Sequence, residues 1–258
     1  MVWASSADQG CELLAVCTGA VQAYARGSRS GIDKRPVSGR VRATALGLVG
    51  DAQGDLRVHG GPDKAIHHYP QEHGAHWQAL LGAHPLLQGP GAFGENLYTR
   101  GLTEADVCLG DRWRVGDALL EVSQARQPCW KLNERFARAD MARQVQTSRR
   151  TGWYYRVLQE GDVWAGAPMA LQERPFPQWT MARLLDALYA PELDLERLRQ
   201  WLALPLPPSF SRWVRSARPR AGPCPRSTSH SCPTPRPRGA RGPRSPPPPP
   251  PRNRRPGR

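Results

Sequence analysis

Short runs of alternating apolar and polar residues, broken by glycine and aspartate turns, fill the first two thirds of the chain. Alternation at period two is the signature of half-buried strands. It predicts strands over residues 13–17, 20–24, 65–69, 107–109, 112–115, 118–124, 153–158 and 168–172. Gly50-Asp51, Gly110-Asp111 and Gly116-Asp117 supply tight turns between them. Two stretches change to a helical period, residues 71–81 and a longer one from Pro128 to about Gln146. Many short strands with few helices predict a mostly β fold, an antiparallel sheet curled into a barrel.

Beyond Arg174 the pattern changes again. Leu184, Leu185, Leu188 and Tyr189 fall on one helical face, and so do Leu195, Leu198, Trp201 and Leu202 behind a capping Asp194. Ser209 opens a third short helix with Phe210, Trp213 and Val214. The expected organisation is a barrel domain over 1–174, three small helices over 175–216, and a tail over 217–258.

The net charge of +14 over 258 residues changes meaning once it is located. From Ser211 onward there are thirteen arginines and no acidic residue, which leaves the rest with 23 basic against 22 acidic side chains. The tail, with its proline run from Pro246 to Pro251, is too poor in apolar residues to order itself and reads as disordered. Such a segment suits a nucleic-acid or membrane-surface arm, and it is also what GC-rich codons give when read out of frame.

The six cysteines show no C-x-x-C spacing, residues 1–10 lack the features of a signal peptide, and no stretch is long enough to span a membrane. The expectation is a cytoplasmic protein with free thiols.

Three segments could carry chemistry. Cys129, in Gln127-Pro128-Cys129-Trp130-Lys131, follows a predicted strand and falls in the first turn of the predicted helix, where unpaired N–H groups favour an anion. Arg126 and Lys131 add positive charge, so the thiolate forms more readily there. The same thiol equally well begins an apolar stripe with Leu132 and Phe136. Around His59, Gly60, Gly61, Pro62, Asp63 and Lys64 the glycines let consecutive N–H groups face one concavity, with Arg57 and Lys64 at its rim. On the strand that follows, His67 and His68 must face opposite ways, so only one can reach a pocket. His73 and His76, three apart, read as surface residues. Phe93-Gly94-Glu95-Asn96-Leu97 could place an amide at a site or form a bulge with a satisfied asparagine.

Taken in order, Leu48-Val49-Gly50-Asp51, Val58-His59-Gly60-Gly61-Pro62-Asp63-Lys64, Phe93-Gly94-Glu95-Asn96-Leu97, Arg126-Gln127-Pro128-Cys129-Trp130-Lys131-Leu132 and Gly152-Trp153-Tyr154-Tyr155 closely resemble the MOSC domain family. The match is to its YiiM-like, hydroxylaminopurine-resistance branch, and the helices after residue 174 resemble that branch's three-helix C-terminal domain. The resemblance implies a MOSC β-barrel holding the molybdenum cofactor (molybdopterin), with Cys129 as the protein's ligand to the metal. It implies a reductase of N-hydroxylated bases and amidoxime-like compounds, supplied with electrons by an external reductase. Arg57, Gly60, Gly61, Lys64, Asn96 and Arg126 would then hold the cofactor, and His59 or His68 would deliver protons.

Two rival readings remain at this stage. Cys129 could carry a persulfide and transfer sulfur with a pyridoxal-phosphate-dependent partner, an association the family also implies. Alternatively the C-terminal helices and tail could form a nucleic-acid module, which the apolar helix faces disfavour. A membrane partner is not expected, and a homodimer is compatible with the sequence.

Overall fold

A computed structural model describes residues 11–54, 60–190 and 195–208, with 211, 212 and 215 besides. Thirteen strands lie among them. The first six are β1 (Glu12–Thr18), β2 (Gln22–Ala23), β3 (Arg29–Ser30), β4 (Arg35–Pro36), β5 (Val41–Thr44) and β6 (Gly47–Leu48). Then come β7 (Ile66–Pro70), β8 (Leu97–Arg100), β9 (Arg112–Val115), β10 (Ala118–Ala125), β11 (Trp153–Gln159), β12 (Gly161–Val163) and β13 (Met169–Glu173). The helices are α1 (Gly74–Leu81), α2 (Lys131–Arg135), α3 (Met141–Ser148), α4 (Met181–Tyr189) and α5 (Leu195–Leu202).

Eight strands form one sheet in the order β13-β9-β10-β11-β7-β8-β1-β4, and β12-β5-β6 form a second, smaller sheet. Pairing in the large sheet is antiparallel except between β7 and β8. A parallel pair needs a crossover, and α1 with the loop after it provides one. The fold is thus mostly β, as the alternation predicts.

The core follows from which row of side chains faces inward. Ala125, Trp153, His68, Leu97 and Val16 stand opposite one another across β10, β11, β7, β8 and β1. All five are buried, and the four apolar ones belong to the main hydrophobic cluster. The same cluster takes in Leu184, Leu185 and Leu188 of α4, so the C-terminal helices share the sheet's core. Thr180 caps α4 by accepting from Arg183 N–H, and Trp201 of α5 meets Trp179 edge-on at 4.7 Å between centroids. A second cluster, including Trp77, Phe93, Leu132 and Phe136, lies between α1, α2 and α3.

Several expected elements differ. The long helix over 128–146 is two short ones, because Ala137 adopts a left-handed φ of 47° and Arg138 N–H turns back to Asn133 O at 2.9 Å. Residues 107–109 make a single bridge, Cys108 to Thr180, instead of a strand. Most of the third C-terminal helix, and the whole tail, lie outside the described residues. Among the described residues no helix is long and apolar enough to cross a membrane.

Candidate functional site

One step along the strands from the core row runs a second row, on the opposite face. Gln124 of β10 stands opposite Tyr154 of β11, which stands opposite His67 of β7. Asn96, one residue before β8, continues the row: its N–H donates to His67 O at 2.7 Å, and its Oδ1 accepts from His67 N–H at 3.0 Å. Period two therefore decides between the neighbouring histidines. His67 faces this row, whereas His68 faces the core.

Tyr154, His67 and Asn96 of this row border an open-mouthed cavity of about 80 Å3, lined also by Lys34, Lys64, Arg126, Cys129 and Lys131. Cys129 is a free, half-buried thiol there. It lies two residues before α2, and the turn is closed by Leu132 N–H donating to Cys129 O at 3.0 Å. With only five residues in α2, the positive character expected at Cys129 rests on side-chain cations and not on a long helix's dipole.

Those cations are held unequally. Lys34 is paired with the buried Asp51 carboxylate, which also accepts from Gly19 N–H at 2.9 Å and Asn96 Nδ2 at 3.0 Å. Lys131, buried, donates to Arg29 O at 3.0 Å and so has a partner without a countercharge. Arg126 is 5 % exposed, donates Nη2 to Phe93 O at 3.2 Å and interacts with the Tyr154 hydroxyl, while its Nη1 is buried without a hydrogen bond. No carboxylate among the described residues pairs with it. Gln124 Nε2, two residues earlier and near the end of β10, is likewise buried and unpartnered. A buried guanidinium with an unused N–H and no countercharge is costly unless an acceptor completes it.

The expected site residues therefore divide. Cys129, Lys64, Asn96 and Arg126 come together on the cavity. Gly60 and Gly61 are not among its lining residues; Gly61, at φ 93°, instead begins the turn of Pro62–Lys64. Arg57 and His59 lie outside the described residues. Asn96 borders the cavity but spends both ends on the chain, donating to Cys17 O and Asp51 and accepting from His67. It ties β1, β7 and β8 together.

His68 does not reach the cavity: it is fully buried, stacked on Trp153 at 4.1 Å, with burial pushing its pKa down to about 3. His73 is no surface residue either. It is buried against Glu104, 2.8 Å from its carboxylate. Sequence reasoning passed over Lys34 and Tyr154 as cavity residues and, of the two neighbouring histidines, took His68 where the structure turns His67 to the cavity. Strand alternation held a signal for Tyr154 and for the choice between the histidines, but not for its outcome.

Among the described residues no group of three His, Cys, Asp or Glu could hold a metal ion. Cys129 can offer a metal one bond, so the rest of the coordination would have to arrive with the metal. A dithiolene cofactor with an anionic phosphate meets that condition, since it brings its own sulfur ligands and its charge suits Arg126 and Lys131. The residues present fit such a group.

Comparisons with known proteins agree with this architecture. The MOSC domain family matches residues 55–170, and the YiiM-like, 3-alpha helix domain matches residues 179–220. Protein YiiM of Escherichia coli (strain K12) is 41% identical over 203 residues, covering 79% of this chain and 91% of that protein. A protein named Reductase, from Gibberella moniliformis (strain M3125 / FGSC 7600), is 36% identical over 201 residues. That match covers 77% of this chain but 36% of the relative. Among solved structures, YiiM from Geobacillus stearothermophilus superposes with a TM-score of 0.68 at 33% identity, covering 80% of this chain and 97% of that one. YiiM from Escherichia coli gives 0.65 at 34%, covering 80% and 89%. The chain belongs to the MOSC domain family, in its YiiM-like branch.

Proposed function

We propose that this protein is a molybdenum-cofactor-dependent reductase of small N-hydroxylated compounds, converting R–NHOH with two electrons and two protons to R–NH2 and water. One observation carries the reading: a free thiol, Cys129, opens onto the same cavity as a buried guanidinium, Arg126, with an unused N–H and no countercharge. A soft sulfur ligand and an unmet demand for an anion, in one cavity, fit a metal that comes with an anionic organic carrier. The relative named Reductase supports the reaction class.

Bound there, the cofactor would supply the two-electron chemistry at the N–O bond. The chain's own residues do the rest. Cys129 would be the protein's single ligand. Arg126 and Lys131, with Lys64 at the rim, would hold the anionic part; Arg126 gains the most because it alone among them has a buried N–H still unused. The Lys34–Asp51–Asn96 network is already satisfied within the protein, so its part is to keep the floor of the cavity rigid beneath His67. Electrons would come from a separate reductase.

Cys129→Ala tests the assignment in protein made by a host that synthesises the cofactor. The expected result is loss of bound molybdenum by elemental analysis, together with at least ~100-fold loss of hydroxylaminopurine reduction. Unchanged metal content and activity in the variant would reject the role of Cys129.

A further inference from the structure

Imidazole carries two nitrogens and, when neutral, one proton. In His67 both nitrogens face carbonyl oxygens: Nδ1 lies 3.3 Å from Gly94 O and Nε2 lies 3.4 Å from Thr151 O. Carbonyls only accept. In either neutral tautomer one ring lone pair therefore points at a carbonyl lone pair, and only the imidazolium can donate to both.

What opposes that cation is equally visible. The ring is buried, and beside it stand the Arg126 guanidinium and, farther off, Lys34; burial first and Arg126 second hold its pKa well below the ordinary value. Among the remaining neighbours no carboxylate is turned toward the ring. Tyr154 of β11 lies 5.1 Å from the ring and Tyr69 of β7 lies 6.3 Å away, both phenols kept neutral by burial. Glu95, next to Gly94, turns its carboxylate back to the N–H groups of Gly91 and Phe93. Asp51 is already engaged by Lys34. The hydrogen-bond geometry asks for a proton that burial, and after it a neighbouring positive charge, withholds.

We infer that filling the cavity with an anion at Arg126 makes His67 take up a proton, so that anion binding and protonation are one coupled event. The inference rests on the proposed reading of the cavity as an anion site. An anion on the free Nη1 of Arg126 cancels the charge that opposes the imidazolium, and the two carbonyls are already in place to receive its N–H groups. By linkage the anion then binds more tightly as pH falls.

Sulfate is the probe, because its own charge stays constant across about pH 5.5 to 8, the range in which an ordinary histidine titrates. Calorimetry of the full chain in two buffers of different ionisation enthalpy counts protons directly and needs no variant. The expected outcome is uptake approaching one proton per sulfate, with affinity falling up to about tenfold per pH unit. His67→Asn should still bind sulfate, with no uptake and a flat pH dependence. Arg126→Met should lose this binding, which separates the cavity from the arginine-rich tail. Sulfate binding without proton uptake in the wild type, or uptake that survives His67→Asn, overturns the coupling and leaves the anion site standing. Undiminished binding in Arg126→Met removes the anion reading itself, and the coupling with it.

Discussion

His67 and His68 are neighbours in sequence, equally buried, and yet chemically opposite. His68 sits between two hydroxyls, with Nε2 2.6 Å from Thr99 Oγ1 and Nδ1 3.2 Å from Tyr155 Oη. A hydroxyl can donate or accept, so a neutral ring satisfies both contacts whichever nitrogen holds the proton. His67 sits between two carbonyls, which can only accept. The first environment is closed, matched to one charge state and packed among tryptophan and leucine. The second is left one proton short and opens on a cavity beside Arg126, a cation without a countercharge. Burial alone does not separate a structural histidine from a reactive one. The kind of atom each nitrogen meets does.

Both environments hang on one backbone position. Gly152, just before β11, has φ of 70°, and a Cβ there would stand 2.1 Å from His68 O. Its carbonyl accepts from Arg126 N–H at 3.1 Å, and its N–H donates to Glu104 at 2.8 Å. Gly152→Ala must therefore push β11 from β7, disturbing the core row and the cavity row together. Left-handed strain plus a backbone clash should cost on the order of 4 kcal/mol. The check is the urea midpoint, together with loss of sulfate binding; an unchanged midpoint would mean the rows are not held in this register.

Next in size is the contrast between the histidines themselves. His68→Leu leaves the Thr99 and Tyr155 hydroxyls without partners in a dry core, for a loss of roughly 3 kcal/mol. His67→Asn changes a ring at the edge of a cavity and should cost about 1 kcal/mol or less. Denaturant unfolding at a pH above the titration of both rings compares the two. If His67→Asn were the costlier change, the division into a core face and a cavity face would be wrong.

How much of this was readable beforehand depends on distance along the chain. The strands that build the large sheet follow from local alternation, and Cys129 and Arg126 follow from a local motif. That one of two adjacent histidines must face away follows from strand geometry, but which one depends on what covers each side, and α1 and α2 are placed by contacts far along the chain. Lys34 left no local trace, since its burial is made tolerable by Asp51, seventeen positions later. The helix expected over 128–146 failed for a similar reason. Its apolar stripe from Leu132 to Phe136 is real, but Asn133 captures Ala139 O and Arg138 N–H and breaks the period.

The finest test of the comparison is the dependence of stability on pH. Burial holds the folded pKa of His68 down to about 3, with His73 adding to it, and holds that of His67 well below its ordinary value. Unfolded, both rings titrate near pH 6.5. Below that value the unfolded chain binds more protons than the folded one, so each ring contributes stability in full above pH 6.5 and loses it as pH falls. The slope is about 1.4 kcal/mol per pH unit for each ring. Wild type should therefore lose stability between roughly pH 6.5 and pH 5 with both contributions, and His67→Asn with one. His76, lowered chiefly by partial burial, is common to both proteins and cancels in the difference. Adding sulfate should shrink the wild-type slope toward that of His67→Asn and leave the variant's slope alone, because an anion at Arg126 relieves only the ring that faces it. A sulfate effect of equal size in both proteins would place the responsive group elsewhere, and the two histidines would no longer differ in the way their partners require.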